Sequence, residues 1–100
     1  MEIKEAQNKV DEWIRQSKSG YFSEITNTVI LMEEVGEVAR VMSRQYGEQR
    51  YKESDRNIDL GDEMADVLWV LLCLANQCGI NMEDAFEKNL EKKNKRDRKK

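Results

Sequence analysis

Apolar residues along the first seventeen positions recur at the spacing of a helix face. Ile3 to Ser17 therefore reads as a first helix, with Val10, Trp13 and Ile14 forming one apolar stripe. Ser19, Gly20, Tyr21 and Phe22 interrupt it. Ser23 is placed to cap a second helix running to about Tyr46, with Gly47 as its stop. Gly36 in the middle of that helix costs roughly 1 kcal/mol against alanine, so it implies close approach of a neighbouring helix or ligand. Glu48 to Ile58 is polar and aperiodic, with Tyr51 its only aromatic, and predicts a loop. Asp59 caps a third helix to about Gln77, Cys78, Gly79 and Ile80 end it, and Asn81 opens a fourth with Asp84 near its first turn. The fourth is expected to fray within Lys93 to Lys100.

The third helix departs from ordinary amphipathic patterning. From Val67 to Ala75 it is apolar on every side, which predicts enclosure all round. Three short partners in one small chain do not readily supply that cover, so self-association is expected. The pattern as a whole predicts an all-α fold, a four-helix bundle completed by oligomerisation. No solenoid repeat and no Ser/Pro/Gly-rich linker divides residues 1–100, which predicts a single domain with a basic, frayed tail over 93–100.

Composition sharpens this picture by exclusion. The 100 residues contain no proline, which favours long uninterrupted helices, and no histidine. Without histidine, the commonest general base, the commonest zinc ligand and the Ser-His and Cys-His nucleophiles are all unavailable. Cys73 and Cys78 lack the further cysteines of a zinc site and are expected to be reduced core residues. Catalysis must then use carboxylates, lysines or a metal. The amino-terminal stretch has no apolar signal core, and the apolar run of the third helix is too short for a membrane span, so the expectation is a soluble cytoplasmic protein with no membrane partner. A formal net charge of −3 conceals an acidic body followed by a basic segment from Lys88 to Lys100.

Two acid pairs stand out. Glu34 and Glu37 lie in Glu33-Glu34-Val35-Gly36-Glu37, and Glu63 and Asp66 lie in Glu63-Met64-Ala65-Asp66. Carboxylates three residues apart project from one helix face, the spacing for two oxygens to converge on one cation. Spacing alone is weak evidence in an acidic chain, where such pairs are usually solvated. The company of these acids argues more strongly. Glu34 and Glu37 share a face with Ile30 and Val41, Glu33 lies toward Arg40 and Arg44, and Glu63 and Asp66 align with Val70 and Cys73. Clustered, partly desolvated carboxylates repel one another unless protonation, arginine pairing or a cation compensates. An all-oxygen donor set suits Mg²⁺, Mn²⁺ or Ca²⁺. A di-iron bundle would require Glu-x-x-His motifs that a chain without histidine lacks.

Glu33-Glu34-Val35-Gly36-Glu37 followed by Glu63-Met64-Ala65-Asp66 resembles the double motif, E-E-x-x-E and then E-x-x-D, of the MazG-type nucleotide pyrophosphohydrolases. The resemblance covers nearly the whole chain and is strongest from Gly20 to Arg96. It implies a MazG-like all-α bundle, pairing of subunits as a homodimer or homotetramer, and hydrolysis of a nucleoside triphosphate at the α-phosphorus to monophosphate and pyrophosphate. It also implies Glu34, Glu37, Glu63 and Asp66 as ligands of Mg²⁺, with Mn²⁺ as a substitute, and Glu33 as the catalytic residue that either orients water or supports the ligands from just behind them. Lys92 and Arg96 match basic positions that contact substrate phosphates. The motif does not fix the nucleotide, and related bundles include dimeric dUTPases and a phosphoribosyl-ATP pyrophosphatase.

Blander readings compete with parts of this. Trp13, Tyr21 and Phe22 have the chemistry to stack on a base, but the place of Trp13 on the apolar stripe favours core packing; Trp69 reads as core or subunit interface. Lys92 and Arg96 sit among other lysines that form a solvated tail. A non-catalytic helical module whose basic tail binds a partner or nucleic acid is the alternative function, although the acid pairs make nucleic acid the less favoured partner.

Overall fold

The structure, a computed structural model, describes residues 1–47 and 58–97. The described residues form four α-helices: α1 Ile3–Gln16, α2 Glu24–Tyr46, α3 Leu60–Gln77 and α4 Met82–Asp97. The boundaries follow the sequence pattern closely. However, α4 continues to Asp97, well into the stretch expected to fray. The loop expected over 48–58 lies outside the described residues except for Ile58, as do residues 98–100.

Three of the four helices begin at side chains that satisfy amides left open by the first turn. Ser23 Oγ accepts from the Thr26 amide at 3.1 Å, Asp59 Oδ1 from Gly61 at 2.9 Å, and Asn81 Oδ1 from Glu83 at 3.0 Å and Asp84 at 3.3 Å. The two helix-ending glycines act differently. Gly79 takes a left-handed φ of 67° after α3, and the amides of Ile80 and Gly79 close back on the carbonyls of Ala75 (2.8 Å) and Asn76 (3.3 Å). This is the paired closure that a left-handed residue makes possible. Gly47 has an ordinary negative φ, but a Cβ there would lie 2.5 Å from the Ser43 carbonyl oxygen. Glycine ends α2 because there is no room for a side chain.

The chain divides into two compact units. One comprises Met1–Tyr21 with Leu72–Lys100 and the other Phe22–Leu71. In the first, Val10, Ile14, Leu72 and Cys73 are buried together, with Ile3, Ala6, Tyr21 and Met82 packed against them. Polar side chains tie the same unit together. The buried Gln7 amide donates to Asn76 Oδ1 (3.1 Å) and the Ile80 carbonyl (2.9 Å), and accepts from the Met82 amide (2.7 Å). Asn76 Nδ2 donates to the Gln7 carbonyl at 3.0 Å and to the Tyr21 hydroxyl at 3.2 Å. Tyr21 in turn donates to Asp11 Oδ1 at 2.6 Å.

Trp13 is 62% exposed and does not join this core, contrary to its expected packing. It lies roughly 80° around α1 from the Val10–Ile14 midline, and Gln7 fills the opposite flank. Cys73 is buried, and burial pushes its thiol up to about 11. Cys78 is exposed and corrects the expectation of two core cysteines, because it falls in the turn after α3.

In the second unit, Val41, Asn27 and Val70 are buried. The expectation that α3 is enclosed all round is not met within the chain. Val70, Leu72, Cys73 and Ala75 are buried, whereas Leu68 is 52% exposed and Trp69 and Leu71 are each 38% exposed. Leu72 and Ala75 share a face with Leu68 yet are buried, so the cover of α3 changes along the helix and not only around it: the helix is covered from Leu72 onward and more open before it. Among the described residues, no helix is long and apolar enough to cross a membrane.

Candidate metal centre

Glu34 sits on the arc of α2 that also carries Val38 and the buried Val41, so packing of that arc draws its carboxylate inward. Glu63 and Asp66 lie one turn apart on α3, with Glu63 in its first turn, where the helix dipole favours negative charge. The structure brings these three together. One carboxylate oxygen from each of Glu34, Glu63 and Asp66 lies within 4.8 Å of the others; Glu34 and Glu63 are half-buried and Asp66 is exposed. Ligand oxygens on opposite sides of a hard cation stand about 4–5 Å apart, twice the bond length, so the spacing fits such an ion.

Electrostatics agree with the geometry. Burial raises the Glu34 carboxyl above its ordinary value, and the negative charges of Asp66, Glu63, Glu37 and Glu33 raise it further. A group surrounded in this way is relieved either by a proton or by a cation. The donor set, oxygen only and multiply charged, fits a divalent hard ion.

The remaining expected residues are placed differently. Glu37 is exposed and faces Arg40 Nε at 3.4 Å, outside the three-carboxylate cluster but near enough to raise Glu34. Glu33 is exposed on the flank of the same helix. Lys92 and Arg96 are exposed on α4, as are Lys93 and Lys95 beside them, so exposure does not distinguish the pair.

A feature not anticipated from the sequence is an apolar cavity of about 200 Å³ lined by Val35, Val38, Met64 and Val67. Its signal was nevertheless present. Each of Glu34, Glu37, Glu63 and Asp66 is followed directly by one of these four residues. One step along a helix turns about 100°, so two helices that face each other with their acids set apolar side chains just beside them.

A family model described as the MazG nucleotide pyrophosphohydrolase domain matches residues 22–100. Among curated proteins, YpjD of Bacillus subtilis strain 168, itself uncharacterized, is 41% identical over 96 residues, covering 96% of this chain and 86% of its own. The uncharacterized YvdC of the same organism is 31% identical over 102 residues, covering 96% of each. The crystal structure of B. subtilis YpjD, a candidate pyrophosphatase, superposes with a TM-score of 0.81 at 39% identity over 92% of this chain and 94% of that one. The Bacillus-conserved MazG protein, a nucleotide pyrophosphohydrolase, gives 0.77 at 37% identity over 92% and 88%.

Proposed function

Because the chain belongs to the MazG nucleotide pyrophosphohydrolase family and is thus a hydrolase of acid anhydrides, we propose that it cleaves nucleoside triphosphates, ribo or deoxyribo, at the α-phosphorus with Mg²⁺ as its cofactor. The products are a nucleoside monophosphate and pyrophosphate. The observation that carries this reading is the convergence of Glu34, Glu63 and Asp66 oxygens within 4.8 Å. In the proposal these three hold the ion, Glu37 completes the set by turning from Arg40, and Mn²⁺ is an acceptable substitute. A bound ion supplies charge neutralisation on the leaving pyrophosphate and acidifies an attacking water.

Glu33, exposed beside the cluster, is assigned to orienting that water and receiving its proton. Lys92 and Arg96, four apart on one face of α4, are assigned to the polyphosphate. A bound ion would activate water for direct attack, so hydrolysis here needs no covalent nucleophile. The exposed apolar side chains of α3, Met64, Leu68, Trp69 and Leu71, support self-association as a homodimer or homotetramer.

Hydrolysis of a panel of ordinary and modified triphosphates in ¹⁸O-water tests this reading. Metal-dependent release of pyrophosphate with the label in the monophosphate is the expected result. Label in pyrophosphate places attack at the β-phosphorus, and orthophosphate release places cleavage elsewhere; either overturns the proposed reaction, as does full activity in chelator.

A further inference from the structure

The described residues of the unit Phe22–Leu71 carry eight carboxylates, Glu33, Glu34, Glu37, Glu63 and Asp66 among them, and two cations, Arg40 and Arg44. A polyphosphate brings further negative charge to a place already lined by acids, and charge that develops on its oxygens calls for a cation from the chain as well as a metal ion. Arg44 is poorly suited, because its Nε is buried. Arg40 is placed differently. Its Nε donates to Glu37 Oε2 at 3.4 Å, and Glu37 is close enough to Glu34 to raise that carboxyl. Arg40 follows Glu34 by six residues, about 9 Å along the axis, but a helical side chain leans toward the amino terminus and so shortens that distance. As a stabilising contact the pair is weak: the two side chains are 37% and 50% exposed, and such helix-surface pairs contribute little. The flank beside it is open. No atom lies within 4 Å of where a Cβ at Gly36 would stand, one turn before Arg40, so a ligand can approach the guanidinium from that side.

We propose that Arg40 is a catalytic residue of this site, held on Glu37 in the metal-free protein and passed to the substrate's polyphosphate when Glu37 goes to the ion. This role rests on the metal-dependent reaction proposed above and adds a residue to it. Glu37 has two prospective partners, and a divalent ion among several carboxylates attracts it more strongly than a half-exposed guanidinium does. Glu37 therefore turns inward, while Arg40, fixed to the same stretch of α2, keeps its charge at the rim. There its planar fork matches two phosphate oxygens, which the point charge of a lysine does not. Neither side chain is left as an isolated charge in either state. Without metal, Glu37 masks Arg40 and a polyphosphate meets net repulsion from the acids around it. Metal and polyphosphate are thereby coupled, each raising the affinity for the other.

Titration calorimetry tests this without turnover: wild type, Arg40→Gln and Arg40→Lys receive Mg²⁺ alone, and then pyrophosphate at saturating Mg²⁺. Arg40→Gln is expected to bind Mg²⁺ roughly two- to fivefold more tightly, because Glu37 loses its competitor, and pyrophosphate roughly ten- to a hundredfold more weakly. Arg40→Lys keeps the charge but not the fork, and is expected to show wild-type Mg²⁺ affinity with only part of the pyrophosphate affinity. Lost packing would instead weaken both ligands together. Unchanged pyrophosphate affinity in Arg40→Gln overturns the phosphate contact, and unchanged or weaker Mg²⁺ binding overturns the exchange. In either case, Mg²⁺-dependent release of pyrophosphate from triphosphates by the wild type leaves the proposed reaction standing. A wild type that binds no Mg²⁺ removes the reaction and the role of Arg40 together. If circular dichroism shows that Arg40→Gln has lost helicity, Arg40→Lys decides alone, and full pyrophosphate affinity in that variant sinks the proposal.

Discussion

The Tyr21 hydroxyl connects side chains far apart in sequence, donating to Asp11 and accepting from Asn76. Burial, reinforced by the bond to Asp11, pushes the phenol up to about 12, and the same bond, with help from Arg15, holds Asp11 below its ordinary 3.8. The two shifts have opposite linkage. A lowered carboxyl stabilises the fold above its unfolded value and loses that contribution as pH falls through its folded value; a raised phenol gives stability that is complete below pH 10 and fades as pH rises toward about 12. Tyr21→Phe is expected to cost about 1 kcal/mol at neutral pH, a modest figure because Asp11 is partly exposed. Urea denaturation across pH checks it, since the deficit should shrink below pH 4 as Asp11 protonates in both proteins. Glu34 runs the other way. Its raised carboxyl means that the metal-free fold bears an unfavourable charge at neutral pH, so Glu34→Gln should raise apo thermal stability while reducing Mg²⁺-dependent turnover at least a hundredfold. Loss of both stability and activity would point instead to a structural carboxylate.

Helix α3 ends at a residue whose backbone, not its surroundings, requires glycine. No atom lies within 4 Å of a Cβ at Gly79, yet its φ is 67°. Gly79→Ala is therefore expected to destabilise by about 1 kcal/mol through left-handed strain alone, measurable as a lowered denaturation midpoint with an unchanged slope. At the far end of α4, the question is whether two cations among several are selected. If Lys92 and Arg96 grip phosphate, alanine at either should lower kcat/KM by roughly one to two orders of magnitude, while Lys93→Ala and Lys95→Ala change little. Steady-state kinetics at two salt concentrations decide the matter, because a diffuse basic surface predicts four equal and mild effects that fade as salt rises.

For the whole molecule, the cluster of Glu34, Glu63 and Asp66 sets carboxylates of α2 and α3 that repel one another side by side, and a cation held there would relieve the repulsion. Ligand binding to the native state alone raises stability by mass action, by about 2.7 kcal/mol at a hundredfold excess over the dissociation constant. Mg²⁺ should accordingly raise the Tm of the wild-type protein in a concentration-dependent way and leave Glu63→Gln nearly unmoved. Calorimetry with Mg²⁺, Mn²⁺ and a monovalent salt control reads this without any substrate. Equal shifts in the wild type and Glu63→Gln would remove the cluster from the metal assignment.

Helix limits, caps and the one-face projection of each acid pair were determined by the sequence, because they depend on hydrogen bonds and torsions within four or five residues. Ser23, Asp59 and Asn81 cap as their side chains dictate, and Glu63 and Asp66 share a face by helical geometry whatever surrounds them. The sequence also held the alternation of acid and apolar positions that frames the cavity, though not the fact that two such segments face each other. That depended on burial, a property of partners rather than of a residue. Only the tertiary structure decided that Glu34 meets Glu63 and Asp66 while Glu37 turns to Arg40, and that Gln7 and Asn76 bond across α1 and α3. It alone left Trp13, Leu68, Ile25 and Met32 in solvent. An apolar residue states that it gains by being covered; whether its own chain supplies the cover is settled by what packs against it, and Leu68 on α3 and Ile25, Val29 and Met32 on α2 are left more than half exposed.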